Sequence, residues 1–104
     1  MATVEITVDN FQQTIEKPGI VLLDFWASWC GPCQAMNPTI ESLAREFKVC
    51  KVNVDTNPKL AAHYHISSIP ALMIFKNGQP VRNHVGVTPE TVLRAELRQL
   101  AQSA

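Results

Sequence analysis

Two cysteines, Cys30 and Cys33, stand in the segment WCGPC directly after a run of apolar and aromatic residues. A pair with this spacing can serve as half of a zinc site, as a small structural disulfide or as a reactive dithiol. Each use makes a different demand on the rest of the chain. The surrounding sequence therefore decides among the three.

A structural zinc site needs further ligands, usually a second cysteine pair or histidines three to five residues apart. Here the third cysteine, Cys50, stands alone, and His63 and His65 are too close together in the sequence. A structural disulfide between Cys30 and Cys33 would close so short a loop that it would restrict the unfolded chain very little. Both alternatives are less favoured than a reactive pair.

The reactive use of the cysteines has a physical mechanism. Apolar residues from about Cys33 onward follow helical spacing, so Cys30 precedes a helix and Cys33 lies in its first turn. Unpaired amides and the helix dipole favour a thiolate there. We expect Cys30 to be exposed and to attack, and the more covered Cys33 to resolve the adduct. Gly31 should permit the tight turn, and Pro32 should hold the sulfurs at bonding distance.

The elements around the cysteines alternate in type. Helices are predicted between most strands and at the carboxyl end, and Pro38 should bend the helix that carries Cys33. Asn77 and Gly78 should form a tight hairpin. Strands separated by helices are expected to pair in parallel, which predicts an α/β fold with a mixed sheet and helices on both faces. The predicted strands are Thr3–Val8, Ile20–Ala27, Val49–Asp55, Ala71–Phe75 and Val81–Val85.

Composition excludes several functional classes. The length of 104 residues suits one domain spanning 1–104. Nine Lys and Arg residues balance nine Asp and Glu residues, so the chain lacks the excess of positive charge that is typical of nucleic-acid-binding domains. The amino terminus lacks the pattern of a secretory signal, and no apolar run has the length of a membrane span. We expect a soluble, cytoplasmic protein that binds neither nucleic acid nor membranes.

In this context the sequence resembles the thioredoxin family. The resemblance rests on WCGPC after DFWA, on SIPALMIFKNG and on the glycine of HVGVTPE, and it covers essentially the whole chain. It implies a thioredoxin fold, a three-layer α/β/α arrangement with a central mixed sheet of four to five strands flanked by four helices. It also implies a redox-active disulfide between Cys30 and Cys33, and an oxidoreductase that reduces disulfide bonds in other proteins.

Asp24 is the candidate for proton transfer. It stands within a strand of otherwise apolar residues, where an unpaired carboxylate should have a raised pKa. An ordinary strand-end aspartate in a salt bridge is the alternative. The resemblance implies that Asp24 is the general base for Cys33, acting through water, with Lys51 as the charge that modulates it. It also implies that Pro70 follows a cis peptide bond and packs against the disulfide.

The resemblance further implies a docking surface and partners. The Ile69 backbone would pair with an extended client segment, as an added strand does. The partners would be disulfide-containing client proteins and a thioredoxin reductase, dependent on NADPH or ferredoxin, that restores the dithiol. The chain would act as a monomer, without metal or organic cofactor, in electron transport and cell redox homeostasis. The implied docking residues are Trp29, Gly31, Pro32, Ile69, Val85 and Gly86.

Two rival functions stand beside this interpretation. An oxidant or isomerase would use the same cysteines at a higher reduction potential, because neighbouring residues and charges set that potential. A redox-independent binding or scaffold subunit would use the apolar surface, and its thiols would be incidental. Cys50 is most simply a small buried apolar residue, with a regulatory or dimer-forming thiol as the alternative.

Overall fold

The computed structural model describes residues 3–103, which form five strands and five helices. The strands are β1 (Val4–Glu5), β2 (Ile20–Trp26), β3 (Lys48–Asn53), β4 (Ala71–Lys76) and β5 (Gln79–Val85). The helices are α1 (Phe11–Ile15), α2 (Gly31–Ala35), α3 (Asn37–Ala44), α4 (Pro58–His63) and α5 (Glu90–Gln102). All five predicted strands are present, although β1 is shorter than expected.

The strands form one mixed sheet in the order β1-β3-β2-β4-β5. β1 and β2 run parallel to β3, and the β4–β5 hairpin is antiparallel. The central place of β2 follows from its sequence, because a strand covered on both faces consists of nearly continuous apolar residues. Five of its seven residues are buried.

The direction of β4 corrects one prediction, because β4 pairs with β2 in the antiparallel sense although a helix separates it from β3. The physical reason is length. Six residues of α4 rise only about 9 Å, whereas a six-residue strand spans roughly 20 Å, so the helix cannot return the chain to the opposite end of the sheet. β4 therefore enters beside the end of β2, with Ala71 opposite Phe25.

The helix that follows the cysteines is interrupted at Met36, which ends α2 and precedes α3. Pro38 is the second residue of α3. It has no amide proton to donate to the preceding turn, and its ring crowds that turn, so a continuous helix is disfavoured. The helix is interrupted where Pro38 was expected to bend it, so residues 3–103 contain five helices rather than the expected four.

The helices cover both faces of the sheet, which confirms the three-layer α/β/α fold. On one face, Ile15 of α1 and Leu60 of α4 pack with Leu23 and Phe25 of β2. On the other face, Leu22 of β2 packs with residues of α3 and α5. These residues are Ile40, Leu43, Ala44, Leu93, Leu97 and Leu100. Alternate residues of β2 thus enter opposite layers, as the pleat of a strand requires.

The predicted hairpin is confirmed, with Asn77 and Gly78 at φ values of 52° and 84°. A Cβ on Gly78 would also lie 3.2 Å from the Glu16 Cα. We therefore expect Gly78→Ala to lower the free energy of unfolding in urea by about 1–2 kcal/mol. Gly31→Ala is the control, because a Cβ there meets nothing within 4 Å and φ is not left-handed. Equal stability of the two variants would contradict the prediction.

Candidate active site

Cys30 and Cys33 lie where β2 gives way to α2, and they form a disulfide with 5.2 Å between their Cα atoms. Cys30 is the N-cap of α2. Its Sγ accepts a hydrogen bond of 3.1 Å from the Cys33 backbone amide. Pro32 lies in the first helical turn, where its missing amide donor leaves no bond unmade. An amide aimed at this sulfur favours its thiolate form once the disulfide is reduced.

Cys30 and Cys33 are both buried in the oxidised protein. Cys30 is only 4% exposed and Cys33 only 2%. The expectation that Cys30 stays exposed was therefore wrong for this redox state. The reason is packing, because the disulfide forms a cluster with Ala27, against which Trp26 and Ile69 also pack.

Trp29 is the largest exposed residue of this loop, and it is 69% exposed. Its Nε1 donates a hydrogen bond of 2.8 Å to Asp55 Oδ2 in the loop after β3, which orients the indole ring. The ring borders a groove beside the disulfide. The groove is lined by Trp29, Val54, Ile66, Ser67, Ser68 and Ile69. Sequence reasoning missed Asp55, Val54 and Ile66, because no motif links them to the cysteines.

Pro70 begins the segment that leads into β4. The peptide bond between Ile69 and Pro70 is cis, as the resemblance implies. The Pro70 carbonyl accepts a 2.7 Å hydrogen bond from the Gly86 amide, which ties the end of β5 to this turn. Val85, next to Gly86, is 62% exposed. Because β4 runs antiparallel to β2, Ile69, Val85 and Gly86 lie at the same end of the sheet as the cysteines.

Gly31 does not have the conformational role expected from the sequence. Its φ lies outside the left-handed region, and a Cβ there would meet nothing within 4 Å. The turn therefore does not require glycine, and that expectation was wrong. What glycine does provide is open space beside the disulfide.

Asp24 is completely buried in the middle of β2. Neither carboxylate oxygen has a hydrogen-bond partner among residues 3–103. Loss of hydration raises the pKa of Asp24 to about 6, although the positive charge of Lys51 acts in the opposite direction. A salt-bridged aspartate at a strand end, the alternative interpretation, does not fit this burial. Asp24 is a carboxyl group that can exchange a proton near neutral pH.

Lys51 is the register partner of Asp24 on β3. Its Nζ donates a 3.2 Å hydrogen bond to Asn37 Oδ1 at the start of α3 and lies 4.8 Å from the centroid of the Trp26 ring. Trp26 and Asp24 share a face of β2, because they are two residues apart. Trp26 also packs against the cluster of Ala27, Cys30 and Cys33. Through Trp26, Asp24 and Lys51 are therefore linked to the residues around the disulfide. Sequence reasoning missed Asn37.

Cys50 is fully buried in β3, and loss of hydration raises the pKa of its thiol to about 11. A thiol with this environment has almost no thiolate at neutral pH. The interpretation of Cys50 as a small apolar core residue is confirmed. The reactive sulfur chemistry of the chain is therefore concentrated at the α2 terminus.

A disulfide at the amino end of a helix that follows the central strand of a mixed α/β sheet is the arrangement of a thiol-disulfide oxidoreductase with the thioredoxin fold. Comparison with known proteins gives the family. The family model for thioredoxin matches residues 2–99. A thioredoxin of Alicyclobacillus acidocaldarius subsp. acidocaldarius is 44% identical over 97% of this chain and 100% of its own length. A thioredoxin of Porphyra purpurea is 42% identical over 93% of this chain and 95% of its own.

A solved structure agrees with these matches. An asparagine-to-glutamine mutant of thioredoxin from Halobacterium salinarum NRC-1 superposes with a TM-score of 0.91 at 30% identity, covering 100% of this chain and 98% of the mutant. The chain belongs to the thioredoxin family. It is a thiol-disulfide oxidoreductase that reduces disulfide bonds, and a redox-independent scaffold is not favoured.

Proposed function

We propose that Cys30 is the attacking nucleophile and Cys33 the resolving thiol. The Cys30 thiolate attacks one sulfur of a client disulfide, which forms a mixed disulfide and releases the other client sulfur as a thiolate. The Cys33 thiolate then attacks Cys30 Sγ and displaces the second client sulfur. Two electrons pass to the client, and the Cys30–Cys33 disulfide remains. The observation that carries this assignment is the amide hydrogen bond to Cys30 Sγ at the α2 terminus.

Asp24 is proposed as the general base for Cys33, acting through a water molecule. The support is its environment, because a buried carboxyl group with a pKa of about 6 both accepts and returns a proton near neutral pH. Lys51 would modulate it, since its charge opposes the effect of burial. The cysteines supply the redox chemistry, and Asp24 supplies proton transfer to Cys33.

The proposed docking surface consists of Trp29, Gly31, Pro32, Ile69, Val85 and Gly86. Its large exposed apolar side chains are the support, because such groups mark sites of protein contact when they lie together. The open space above Gly31 would admit a client backbone to the disulfide. The Ile69 backbone would pair with an extended client segment.

The proposal extends to partners and setting. As a family member, the chain would act as a monomeric single domain, 1–104, on disulfide-containing client proteins. A thioredoxin reductase dependent on NADPH or ferredoxin would regenerate the dithiol, in electron transport and redox homeostasis of the cytoplasm. The helices of residues 3–103 include none with the length and apolarity needed to cross a bilayer.

The reduction potential tests the direction of electron flow. We expect the Cys30–Cys33 pair to be half oxidised in a glutathione buffer poised at about −270 mV, a potential typical of thioredoxins. Mass spectrometry after alkylation would give the oxidised fraction, and Cys50→Ser removes the third thiol from the count. A midpoint above about −200 mV would instead indicate an oxidant or isomerase.

A further inference from the structure

A row of alternating charges crosses three neighbouring strands on one face of the sheet. In the register of the sheet, Glu5 of β1 lies beside Lys51 of β3, and Lys51 lies beside Asp24 of β2. Ile6, which directly follows β1, and Cys50 of β3 both belong to the core layer of Leu23 and Phe25, on the opposite face of the sheet from Asp24. Glu5 and Lys51 therefore project from the face that holds Asp24.

The two carboxylates are close enough to interact through the lysine. Neighbouring strands are about 4.8 Å apart, so the two spacings from β1 across β3 to β2 separate Glu5 from Asp24 by roughly 10 Å. Lys51 stands between them in the register of the sheet, and its positive charge acts to lower the pKa of both carboxyl groups. The negative charge of Glu5 acts on Asp24 in the opposite direction to Lys51 and raises its pKa further.

The other elements around Asp24 add little charge. On β4 its register partner is the apolar Leu72. Asn37 at the start of α3 contributes a neutral amide, whose Oδ1 accepts a hydrogen bond from Lys51. Among residues 3–103, the charged groups that act on Asp24 are therefore Lys51 and Glu5.

We propose that Glu5 is a positioning residue, which acts through Lys51 on the charge of Asp24 and so sets the pH range in which Cys33 resolves the mixed disulfide. The kinetic part rests on the proposed role of Asp24 as general base. Glu5 itself is exposed on a short edge strand. The state of the buried carboxyl group would therefore respond to solvent conditions at the surface, although Asp24 itself is not exposed.

The direct test is the titration of the Asp24 carboxyl carbon by NMR in the oxidised protein. We expect Glu5→Gln to lower the titration midpoint of Asp24 by about 0.3–1 pH unit, as a like charge roughly 10 Å away implies. Lys51→Met should raise it. The conservative Glu5→Asp should retain most of the wild-type midpoint. Asp9→Asn is the matched control, because it removes an exposed negative charge outside the row, and it should leave the midpoint unchanged.

Salt separates a charge effect from a merely structural one. The difference between wild type and Glu5→Gln should shrink as NaCl rises from about 0.05 M to 1 M, because the Debye length then falls to about 3 Å. A midpoint that Glu5→Gln does not move, or a difference that 1 M salt leaves intact, overturns the proposal.

The kinetic readout is the pH profile of mixed-disulfide resolution, followed by stopped flow in wild type and Glu5→Gln. Its midpoint should move with that of Asp24. If the Asp24 titration moves and the rate profile does not, the coupling from Glu5 stands and the role of Asp24 as base is overturned. If the wild-type profile follows Asp24 but Glu5→Gln leaves both midpoints in place, the role of Glu5 is overturned and the base stands.

Discussion

Replacing Cys30 with serine should reduce catalytic turnover of client disulfides to the background rate, a loss of at least about 10³-fold. The reason is chemical, because a serine hydroxyl cannot attack a disulfide, and the mixed disulfide then never forms. Cys33→Ser should lose turnover to the same extent for a different reason, since the adduct forms and cannot be resolved. The measurement is reduction of a soluble disulfide protein with NADPH and a thioredoxin reductase as the electron source, so that no free small-molecule thiol resolves the adduct.

Cys50→Ser is the matched control for these variants. Its thiol is buried and has a pKa raised to about 11, so its loss should leave turnover close to that of the wild type. Substantial turnover in Cys30→Ser, or a Cys50→Ser variant as slow as the other two, would contradict the assigned roles.

Asp24→Asn should stabilise the oxidised protein at alkaline pH. Burial raises the pKa of Asp24 from 3.8 to about 6, so the folded state binds the proton more tightly than the unfolded state does. The associated stability is fully present below about pH 4 and is lost as pH rises through about 6. Above that pH the wild type carries a buried charge that costs about 3 kcal/mol, and asparagine carries none.

Urea unfolding at pH 4 and pH 8 checks this expectation. Asp24→Asn should be more stable than wild type by up to about 3 kcal/mol at pH 8, and the difference should nearly vanish at pH 4. Asp9→Asn, at an exposed position, should show no such dependence. A difference that is the same at both pH values would show that the effect does not arise from ionisation.

The same substitution should slow the resolution of the mixed disulfide by about 10²-fold or more at neutral pH, since a positioned general base contributes 10²–10⁴-fold. Stability and rate would then change in opposite directions. This is the pattern of a residue retained for function at a site where its charge is unfavourable. Wild-type resolution rates in Asp24→Asn would refute the role of Asp24 as base.

Local patterns predicted much of this fold. The apolar run of β2 indicated a central strand, the Asn77-Gly78 pair indicated the hairpin, and Pro38 indicated the bend after α2. Each of these rests on residues close together in the sequence, where backbone preferences and hydrophobic periodicity act. The cysteine pair and Asp24 could be found for the same reason, because each stands out within its own segment.

The features that sequence reasoning missed depend on contacts between distant segments. The direction of β4 depends on how far α4 carries the chain, and a pattern of helix and strand does not contain that distance. The hydrogen bond from Trp29 to Asp55 and the row from Glu5 to Asp24 depend on strand register and loop placement. The covering of Cys30 depends on residues that come together only in the folded cluster.

Trapping the adduct of the Cys33→Ser variant shows which sulfur attacks foreign disulfides, a role proposed here for Cys30. The variant would be incubated in reduced form with a disulfide protein, and peptide mass spectrometry would locate the bond. We expect a stable mixed disulfide on Cys30, and none on Cys33 in the reciprocal Cys30→Ser variant. An adduct on Cys33 or Cys50 instead, with Cys30 left unmodified, would contradict that role.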